Sequence, residues 1–536
     1  MKAVNTSTYT FEKLINGNCI YVDKTEYFYK LVTGKGGMYF MSRPRRFGKS
    51  LAVSIFDAIF RGKKDLFRDL KIYDMDYDWE VYPVIRLDFA SEVLLTKEQF
   101  DQSLKESLKW IAKEYGITED NGSPAVFFKK LIRSLKKKTG KNVVLLIDEY
   151  DKPLLDHLSS PEEAEEWQKY MDSFYQIIKG SEADLRFVFM TGVTKFAKVS
   201  VFSKLNNLDD LTMNRDYSEM FGYTQEEVLE YFSKYFDDAV KEGVYDLMHR
   251  PLTRDGLIAE IKRWYDGFKF SEDGQNVYNP VSVGQFINNH YRFKNYWFAT
   301  GTPSFLMEII KKNGIVDSDL TGLTMQESLF DTFDVTELAG EDIPKDRIYQ
   351  LLYQTGYLTI DGSVYGPGGV LYTLRYPNHE VKDSFEKHLF LKYTGQDATT
   401  FGGRLYMKAM NGETEGMIEL LKNYFASFPY DIQIKHEKYY QSMVRIMFEM
   451  SGMKFLTEDM TNTGRIDGVL EAGGHLYIIE FKLNKNADEA LAQIDEKKYA
   501  EKYILPAKEK GLKLHKLGIN FCYDKDVRNI TEWKEE

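Results

Sequence analysis

The sequence predicts an α/β multidomain protein. At roughly 150 residues per domain, its 536 residues correspond to about three to four domains. Through the first 220 residues, short apolar runs alternate with helical patterns, which is typical of a mostly parallel sheet flanked by helices. A second alternation of helices and strands occupies the C-terminal quarter. With 43% apolar and 29% charged residues, the composition excludes a mainly disordered chain.

Four buried strands are expected in the first domain, residues 1–220. They are GMYFMS at 37–42, VYPVIRLDF at 81–89, VVLLID at 143–148 and LRFVFMTG at 185–192. Each is an apolar run, as in strands that are covered on both faces. Residues 221–310 have helical patterns, which predict a helical appendage.

Residues 311–395 are expected to form a winged-helix-like segment, because RIYQLLYQTG has a helical pattern and GYLTI and VLYTLRY follow as two strands. A compact α/β unit is expected at 396–536. Its predicted elements are helices at 416–427 and 436–452, the hairpin IDGVLEAGGHLYIIEFKL with Gly473 and Gly474 in its turn, a helix at 486–502 and a strand around KLGINFCY.

Cysteine content and charge limit the environment and the partners. Cys19 and Cys522 lie near opposite ends, which excludes a disulfide framework and a cysteine zinc cluster and fits a reducing cytoplasm. No run reaches the ~18 apolar residues of a membrane span, so no membrane partner is expected. The net charge is 71 minus 82, or −11, so a nucleic-acid partner, DNA first, would need a local basic surface.

One basic run, KKLIRSLKKKTGKN at 129–142, could follow a phosphate backbone, although a solvated helix end explains it more simply. The sequence leaves the oligomeric state open, and a homo-oligomer is among the expectations.

Residues 37–60 place a strand before a turn that ends in Gly48, Lys49 and Ser50, and an amphipathic helix follows. This is the context of a phosphate-binding loop. In such a loop the backbone amides and the helix N-terminus face the phosphates, Lys49 reaches the β and γ oxygens, and the Ser50 hydroxyl binds magnesium.

The same turn supplies Arg45, Arg46 and Phe47 to the predicted nucleotide-binding set. The standard motif asks for glycine at position 43, where this chain has Arg43. Because a Gly-Lys-Ser tripeptide also occurs by chance, a helix start with a solvated lysine is the plain alternative.

A second motif strengthens the prediction. KNVVLLIDEY is a buried strand that ends in Asp148 and Glu149, about 100 residues downstream of the loop. Asp148 would hold magnesium through water, and Glu149 would polarise the attacking water. An acidic strand terminus is the alternative, but the two motifs together predict ATP and Mg²⁺ as cofactors. Thr191 and Thr194, at the end of the next strand, would sense the γ-phosphate or only cap the strand.

These blocks resemble the bacterial AAA-ATPase-like family, whose members carry motifs of the types YVDKT, SRPRRFGKS, LIDEYD, TGVTKF and WYDGFKF. The resemblance covers residues 8–220 and extends to about 305 through WYDG and YNP. It implies a P-loop ATPase with an AAA-like sheet. Arg43 is part of the family's own pattern, so its presence leaves ATP binding in place. Arg215 is a candidate for a charge-stabilising arginine, with an exposed surface arginine as the simpler alternative.

A second constellation lies in GRIDGVLEAGGHLYIIEFKLN. Strand alternation puts Glu480 and Lys482 on one face, and pairing across the turn brings Asp467 alongside them. Two carboxylates and an ammonium suit metal-dependent phosphodiester hydrolysis: Asp467 and Glu480 bind magnesium, and Lys482 orients the nucleophile or stabilises the transition state. The alternative is a solvated hairpin, but Glu480 lies between apolar residues, where a buried acid needs a partner.

This arrangement resembles the PD-(D/E)xK nuclease superfamily, and specifically the small nuclease domain that often follows the ATPase family named above. The resemblance implies a metal-binding aspartate, a second acid, the lysine, a helix-borne acid and two residues of a neighbouring helix. In this order they are Asp467, Glu480, Lys482, Glu437, Gln493 and Tyr499. The proline of the superfamily name is replaced by Ile466.

The leading hypothesis is therefore an ATP-binding and ATP-hydrolysing protein with a metal-dependent nuclease domain, which cleaves DNA under ATP control in defence or genome maintenance. The alternative is an ATP-dependent regulatory switch whose nuclease fold only binds nucleic acid. A transposon-linked helper activity is equally compatible with the sequence.

Overall fold

The computed structural model describes residues 1–34, 37–93, 95–118, 122–158, 160–196, 208–246, 250–297, 304–313, 315, 320, 322–330, 334–339, 343–367, 369–394, 398–427, 435–461, 463–524 and 526–536. The chain forms two compact units. Unit 1 comprises residues 1–313 and 322–382, and unit 2 comprises residues 314–321 and 383–536. The four domain ranges expected from the sequence stay a prediction.

A five-stranded parallel sheet forms the centre of unit 1. Its strands are β1 (Met38–Ser42), β2 (Val84–Asp88), β3 (Val143–Asp148), β4 (Leu185–Gly192) and the short β5 (Asp209–Asp210). Their order is β2-β3-β4-β1-β5. The four predicted strands are confirmed. Because these strands are parallel and β4 lies between β1 and β3, the carboxyl ends of all three lie next to one another at one edge of the sheet.

Helices surround this sheet. They are α1 (Phe11–Asn16), α2 (Thr25–Thr33), α3 (Lys49–Phe60), α4 (Lys97–Glu114), α5 (Pro124–Thr139), α6 (Lys152–Leu155) and α7 (Pro161–Lys179). The α5 and α7 helices begin with an N-cap serine and a proline, an arrangement that satisfies the first free amides. The α3 helix buries nine of its twelve residues, including Lys49, and so fixes the start of the helix against the sheet.

Unit 1 also contains four helices in and just beyond the range 221–310, whose assignment as a separate helical appendage stays a prediction. They are α8 (Gln225–Glu242), α9 (Arg254–Tyr265), α10 (Pro280–Asn288) and α11 (Ser304–Lys312). A capping box between Thr224 and Glu227 starts α8. Phe232, Trp264 and Phe286 are among the buried side chains that hold three of these helices together.

The next segment contains the expected helix and hairpin. The elements are β6 (Thr324–Gln326), α12 (Lys345–Gln354), β7 (Thr359–Gly366) and β8 (Gly369–Arg375), with β8 pairing antiparallel to both other strands. Identification of this segment as a winged helix stays a prediction. Helix α13 (His379–Thr394) follows, and the boundary between the two units falls within it, after Lys382.

A mixed five-stranded sheet forms the centre of unit 2. Its elements are α14 (Ala398–Met410), α15 (Thr414–Ser427), α16 (Glu437–Met450), β9 (Phe455–Met460), β10 (Arg465–Ala472), β11 (His475–Leu483), α17 (Ala487–Glu496), α18 (Glu501–Lys510), β12 (Lys513–Tyr523) and β13 (Arg528–Glu535). The strand order is β13-β12-β11-β10-β9, and only β11 and β12 are parallel. The predicted hairpin is β10–β11, and its turn residue Gly473 has φ +60°.

Two expectations for unit 2 need correction. The single helix expected at 486–502 is two helices, because the chain turns between Glu496 and Glu501, where Lys498 has φ +52°. Strands β9 and β13 were not anticipated, because FLTEDM and RNITEWKE each bury few residues and lack a clear apolar run. None of the described helices is long and apolar enough to cross a membrane.

Candidate active sites

The turn after β1 forms a loop closed by strand pairing and by two left-handed residues. The Arg43 amide continues the sheet by donating to the Gly192 carbonyl (3.1 Å). Arg46 and Gly48 have φ of +68° and +92°. A Cβ on Gly48 would have no atom within 4 Å, so the loop faces open space at this position. This is the geometry in which backbone amides can surround a phosphate.

Lys49 is held at the mouth of the loop. Its ammonium donates to the carbonyl oxygens of Arg43 (3.1 Å) and Pro44 (3.3 Å), and it forms an ion pair with Glu149 (3.6 Å). The side chain is only 4% exposed. The lysine is therefore a positioned charge and not the solvated lysine of the plain alternative.

The acids that follow β3 lie beside this lysine. Asp148 is almost fully buried, and burial followed by the charge of Glu149 raises its pKa to about 6. The neighbouring Ser50 hydroxyl works in the opposite direction and lowers it. Glu149 has a left-handed backbone, with φ +50°, at the strand end. Ser50 and Asp148 thus offer a hydroxyl and a carboxylate together, as a Mg²⁺ site in a P-loop requires.

A cavity of about 420 Å³ opens over the loop, a volume suited to a nucleotide. Its wall includes Arg45 to Ser50, Glu149 and residues of the N-terminal segment and of 220–223. The residues present fit a nucleotide with its magnesium ion: Lys49 and the loop amides would hold the phosphates, and Ser50 and Asp148 the metal.

In unit 2, the β10–β11 hairpin brings the three predicted nuclease residues together. Gly468 pairs with Ile479, so Asp467 lies beside Glu480. The Asp467 carboxylate accepts a hydrogen bond from the Phe481 amide (2.9 Å). The Lys482 ammonium donates to Glu480 (3.1 Å) and to the Phe481 carbonyl (2.9 Å). The predicted constellation therefore exists as a contact network.

Glu480 is the most perturbed group of this network. It is 1% exposed, and burial followed by the charge of Asp467 raises its pKa to about 8, while Lys482 works in the opposite direction. Burial also raises the pKa of Asp467. Two neighbouring carboxylates that resist ionisation are typical of a site that receives a cation.

A divalent metal ion fits this pair. One oxygen of Glu480, Oε2, is buried without a hydrogen-bond partner, while its Oε1 accepts from Lys482 and Gln493. A metal would satisfy that free oxygen together with Asp467. Among the described residues, no group of three or more histidine, cysteine, aspartate and glutamate side chains is arranged to hold a metal, so this candidate rests on two carboxylates.

Comparison with known proteins gives one family match in each of the two units. Residues 6–202 match the AAA-ATPase-like family, described as a predicted AAA-ATPase, and residues 435–533 match the PD-(D/E)XK nuclease superfamily. A protein of Azotobacter chroococcum mcd 1, described as an uncharacterized protein in the vnfD 5' region, is 36% identical over 527 residues, which cover 96% of this chain and 95% of that protein. The chain belongs to the AAA-ATPase-like family. Its C-terminal part is a PD-(D/E)XK nuclease superfamily domain.

In this AAA-ATPase-like protein, the buried Arg43 side chain stabilises the start of the phosphate loop. Arg43 is 1% exposed, and its guanidinium donates to the carbonyl oxygens of Ser42 (2.9 Å), Thr212 (2.7 Å) and Tyr217 (3.3 Å). The Phe270 ring lies 4.3 Å away. Burial lowers the Arg43 pKa to about 10, which leaves the group charged at neutral pH. The arginine at the usual glycine position thus ties the loop to the residues after β5.

The other predicted residues of the ATPase site divide into two groups. Arg45 and Arg46 line the cavity, whereas the buried Phe47 ring packs edge-on against Phe268 (4.8 Å) and anchors the loop. The buried Thr191 hydroxyl donates to the Met41 carbonyl (2.7 Å), within the sheet. Arg215 is exposed and pairs with Asp273 (3.6 Å), away from the residues that line the cavity.

The basic run 129–142 forms the end of α5 and the turn before β3. Lys136 pairs with Asp184 (2.9 Å), Lys138 donates to the Gly116 carbonyl (3.0 Å), and Lys141 pairs with Glu80. Each of these three lysines is thus hydrogen-bonded or ion-paired within unit 1, and contact of this run with a phosphate backbone stays a prediction.

The remaining predicted residues of the nuclease domain lie on both sides of the hairpin. Glu437, the first residue of α16, accepts from the Leu483 amide (3.1 Å), next to Lys482. Gln493 on α17 donates to Glu480. Tyr499 is buried in the apolar core between α17 and α18, where it contributes packing beside the site.

Two residues contact the sites without having been assigned a role from the sequence. Buried Asp151 accepts hydrogen bonds from the amides of Val193 (3.0 Å) and Thr194 (2.6 Å). It therefore connects the residues that follow β4 to those that follow β3. Gln441 donates to the Asp467 carbonyl (2.8 Å). The four-residue spacing between Glu437 and Gln441, one helical turn, was the available signal for the second residue.

Proposed function

We propose that this protein is an ATP-regulated, metal-dependent nuclease that cleaves DNA in defence against mobile DNA or in genome maintenance. The observation that carries the proposal is the buried network of Asp467, Glu480 and Lys482, in which Glu480 has one oxygen without a partner. Mg²⁺ is the metal of choice, because the two available ligands are hard carboxylate oxygens.

In the proposed reaction, a water molecule loses a proton to solvent and its oxygen forms a bond to phosphorus, while the bond to the leaving sugar oxygen breaks and that oxygen takes up a proton from solvent. Mg²⁺, when bound, lowers the pKa of the water and neutralises phosphate charge. Lys482 holds a positive charge where negative charge develops, and Glu480 keeps that ammonium in place. Asp467 is itself positioned by the Phe481 amide.

In unit 1, ATP would bind over the phosphate loop, with Lys49 on its phosphates and Glu149 acting on the attacking water. We further propose that ATP binding controls access to the nuclease site, and that DNA contacts a local basic surface. The proposal includes a reducing cytoplasm as the setting and leaves room for a homo-oligomer.

The decisive experiment incubates the purified protein with linear and circular DNA, with and without Mg²⁺ and ATP. We expect cleavage that requires Mg²⁺, responds to ATP and falls about 100-fold or more in Glu480→Gln and Lys482→Ala. The matched controls are Glu471→Gln and Lys510→Ala, which affect an exposed ion pair (2.8 Å) between β10 and α18. Absence of cleavage with every divalent metal tested would favour the regulatory switch instead.

A further inference from the structure

Trp297 connects the phosphate loop to the residues that follow α10. Its indole N–H donates to the Arg45 carbonyl (3.0 Å), four residues before Lys49. The side chain is 5% exposed and packs edge-on against Tyr357, with 5.3 Å between the ring centres. Loss of the acceptor of a buried indole N–H is energetically unfavourable. A movement of the loop backbone at Arg45 is therefore expected to displace the Trp297 side chain.

Glu380 holds the backbone of the same tryptophan. One carboxylate oxygen accepts from the Trp297 amide (2.7 Å), and the other accepts from the Ser282 hydroxyl (2.7 Å). Glu380 is fully buried. A buried carboxylate with two such partners tolerates little displacement of either.

Glu380 is also the second residue of α13, the helix that contains the boundary between the units. Residues 379–382 of this helix belong to unit 1, and residues 383–394 belong to unit 2. The helix start is held further by the His379 ring, which lies edge-on against Trp264 at 4.4 Å. A continuous contact series therefore runs from the phosphate loop to a helix that is shared by both units.

We propose that Trp297 and Glu380 transmit nucleotide binding from the phosphate loop to α13, and that this contact series is the route by which ATP regulates the nuclease. The second clause rests on the proposed function, whereas the first does not. The role of both residues is positioning, because neither lies among the residues that line the nucleotide cavity. Typical coupling between two sites changes affinity about 5- to 150-fold, which one or two buried hydrogen bonds can supply.

The test compares two tryptophan variants. Trp297→Phe removes the indole donor and keeps an aromatic ring in the same packing. Trp167→Phe is the matched control: Trp167 is also 3% exposed, and its ring stacks on His157 (4.0 Å between ring centres) instead of contacting α13 or the loop. Hydrogen–deuterium exchange of peptides covering 379–394 is measured with and without the nonhydrolysable analogue AMP-PNP and Mg²⁺. Nucleotide affinity is measured in parallel by calorimetry.

We expect AMP-PNP to slow exchange in α13 by about 5-fold or more in the wild type and in Trp167→Phe. In Trp297→Phe the analogue should still bind, but the change in α13 should be lost. Glu380→Gln, which keeps the side-chain size, should lose it as well and serves if Trp297→Phe does not fold. A wild-type response in a folded variant of either residue would overturn the proposal, as would a wild-type protein that binds AMP-PNP without any change in α13.

The exchange readout separates this inference from the nuclease proposal. An α13 response in a protein that cleaves no DNA would contradict the nuclease function and support the contact series. Cleavage that responds equally to ATP in wild type and in Trp297→Phe would contradict the contact series and support the nuclease.

Discussion

At the scale of single residues, the ion pair between Lys49 and Glu149 is the feature that most affects nucleotide chemistry. The two groups are 3.6 Å apart, and each is expected to act on ATP. Phosphate oxygens compete with Glu149 for the lysine. ATP binding is therefore an exchange of anionic partners, and it frees Glu149 to contact water.

Replacement of Glu149 by glutamine tests this exchange. Glu149→Gln removes the competing charge and the water-polarising carboxylate, so ATP should bind at least as tightly while hydrolysis falls about 100- to 10,000-fold. Binding is measured by calorimetry and turnover by phosphate release. Wild-type turnover in this variant would remove Glu149 from the mechanism.

Lys49→Ala should lose ATP binding, because it deletes the buried ammonium that is expected to contact the β and γ phosphates. It also leaves the carbonyl oxygens of Arg43 and Pro44 without this donor, so a loss of about 1–3 kcal/mol in unfolding free energy is expected. Lys138→Ala, whose partner is a surface carbonyl, is the control. Unchanged ATP affinity in Lys49→Ala would show that the loop is not a phosphate site.

Glu480 gives a pH prediction. Because its pKa is about 8 in the fold and about 4.5 in an unfolded chain, the folded state holds one more proton between these values. Its stabilising contribution is complete below pH 4.5 and is lost as the pH rises through 8. In the metal-free wild type, the free energy of unfolding should therefore fall by on the order of 1.4 kcal/mol per pH unit between the two pKa values. Glu480→Gln should lack this dependence on pH. Hydrogen exchange of β11 amides at several pH values measures this slope, and an identical slope in wild type and variant would contradict the assignment.

At the scale of elements, β9 and β10 approach more closely than a side chain allows. A Cβ on Gly468 would lie 2.2 Å from the Phe455 ring. Gly468→Ala should therefore destabilise unit 2 by about 1–3 kcal/mol and displace Asp467, which is its neighbour in sequence. Gly474→Ala, with no atom within 4 Å of the added Cβ, is the control. Calorimetric unfolding compares the two, and equal stability would contradict this packing.

The elements that the sequence predicts correctly are those whose residue pattern is local. Strands β1 to β4 were identified because both of their faces are buried, so their apolar residues run together. Strand β13 was missed because only Ile530 of its eight residues is fully buried. The break between α17 and α18 was missed because EKKYAEKY is composed of residues that tolerate a helix.

The site residues also divide into those that a local sequence pattern predicts and those that it does not. Asp467, Glu480 and Lys482 could be predicted because a hairpin brings near neighbours in sequence together. The contact between Trp297 and Arg45 joins residues 252 positions apart, and no periodicity relates them. Such a contact depends on the path of the whole chain.

At the scale of the whole molecule, the two chemistries should be separable. The ATPase residues lie in unit 1 and the nuclease residues in unit 2. Lys49→Ala should therefore keep Mg²⁺-dependent cleavage while losing its response to ATP, and Glu480→Gln should keep ATP turnover within about 2-fold. Parallel assays of both activities check this. Loss of ATP turnover in Glu480→Gln would mean that the two sites act as one.

The division of the chain into units also determines the order in which the units can be completed during synthesis. Unit 1 needs residues 322–382, and unit 2 needs residues 314–321, including the buried Ile315 and Leu320. As the chain leaves the ribosome, unit 1 is incomplete until residue 382 has emerged, and Ile315 and Leu320 are synthesised well before the rest of unit 2. Unit 1 can therefore be completed before residues 383–536 are synthesised, whereas completion of unit 2 depends on late, long-range contacts between its two chain segments.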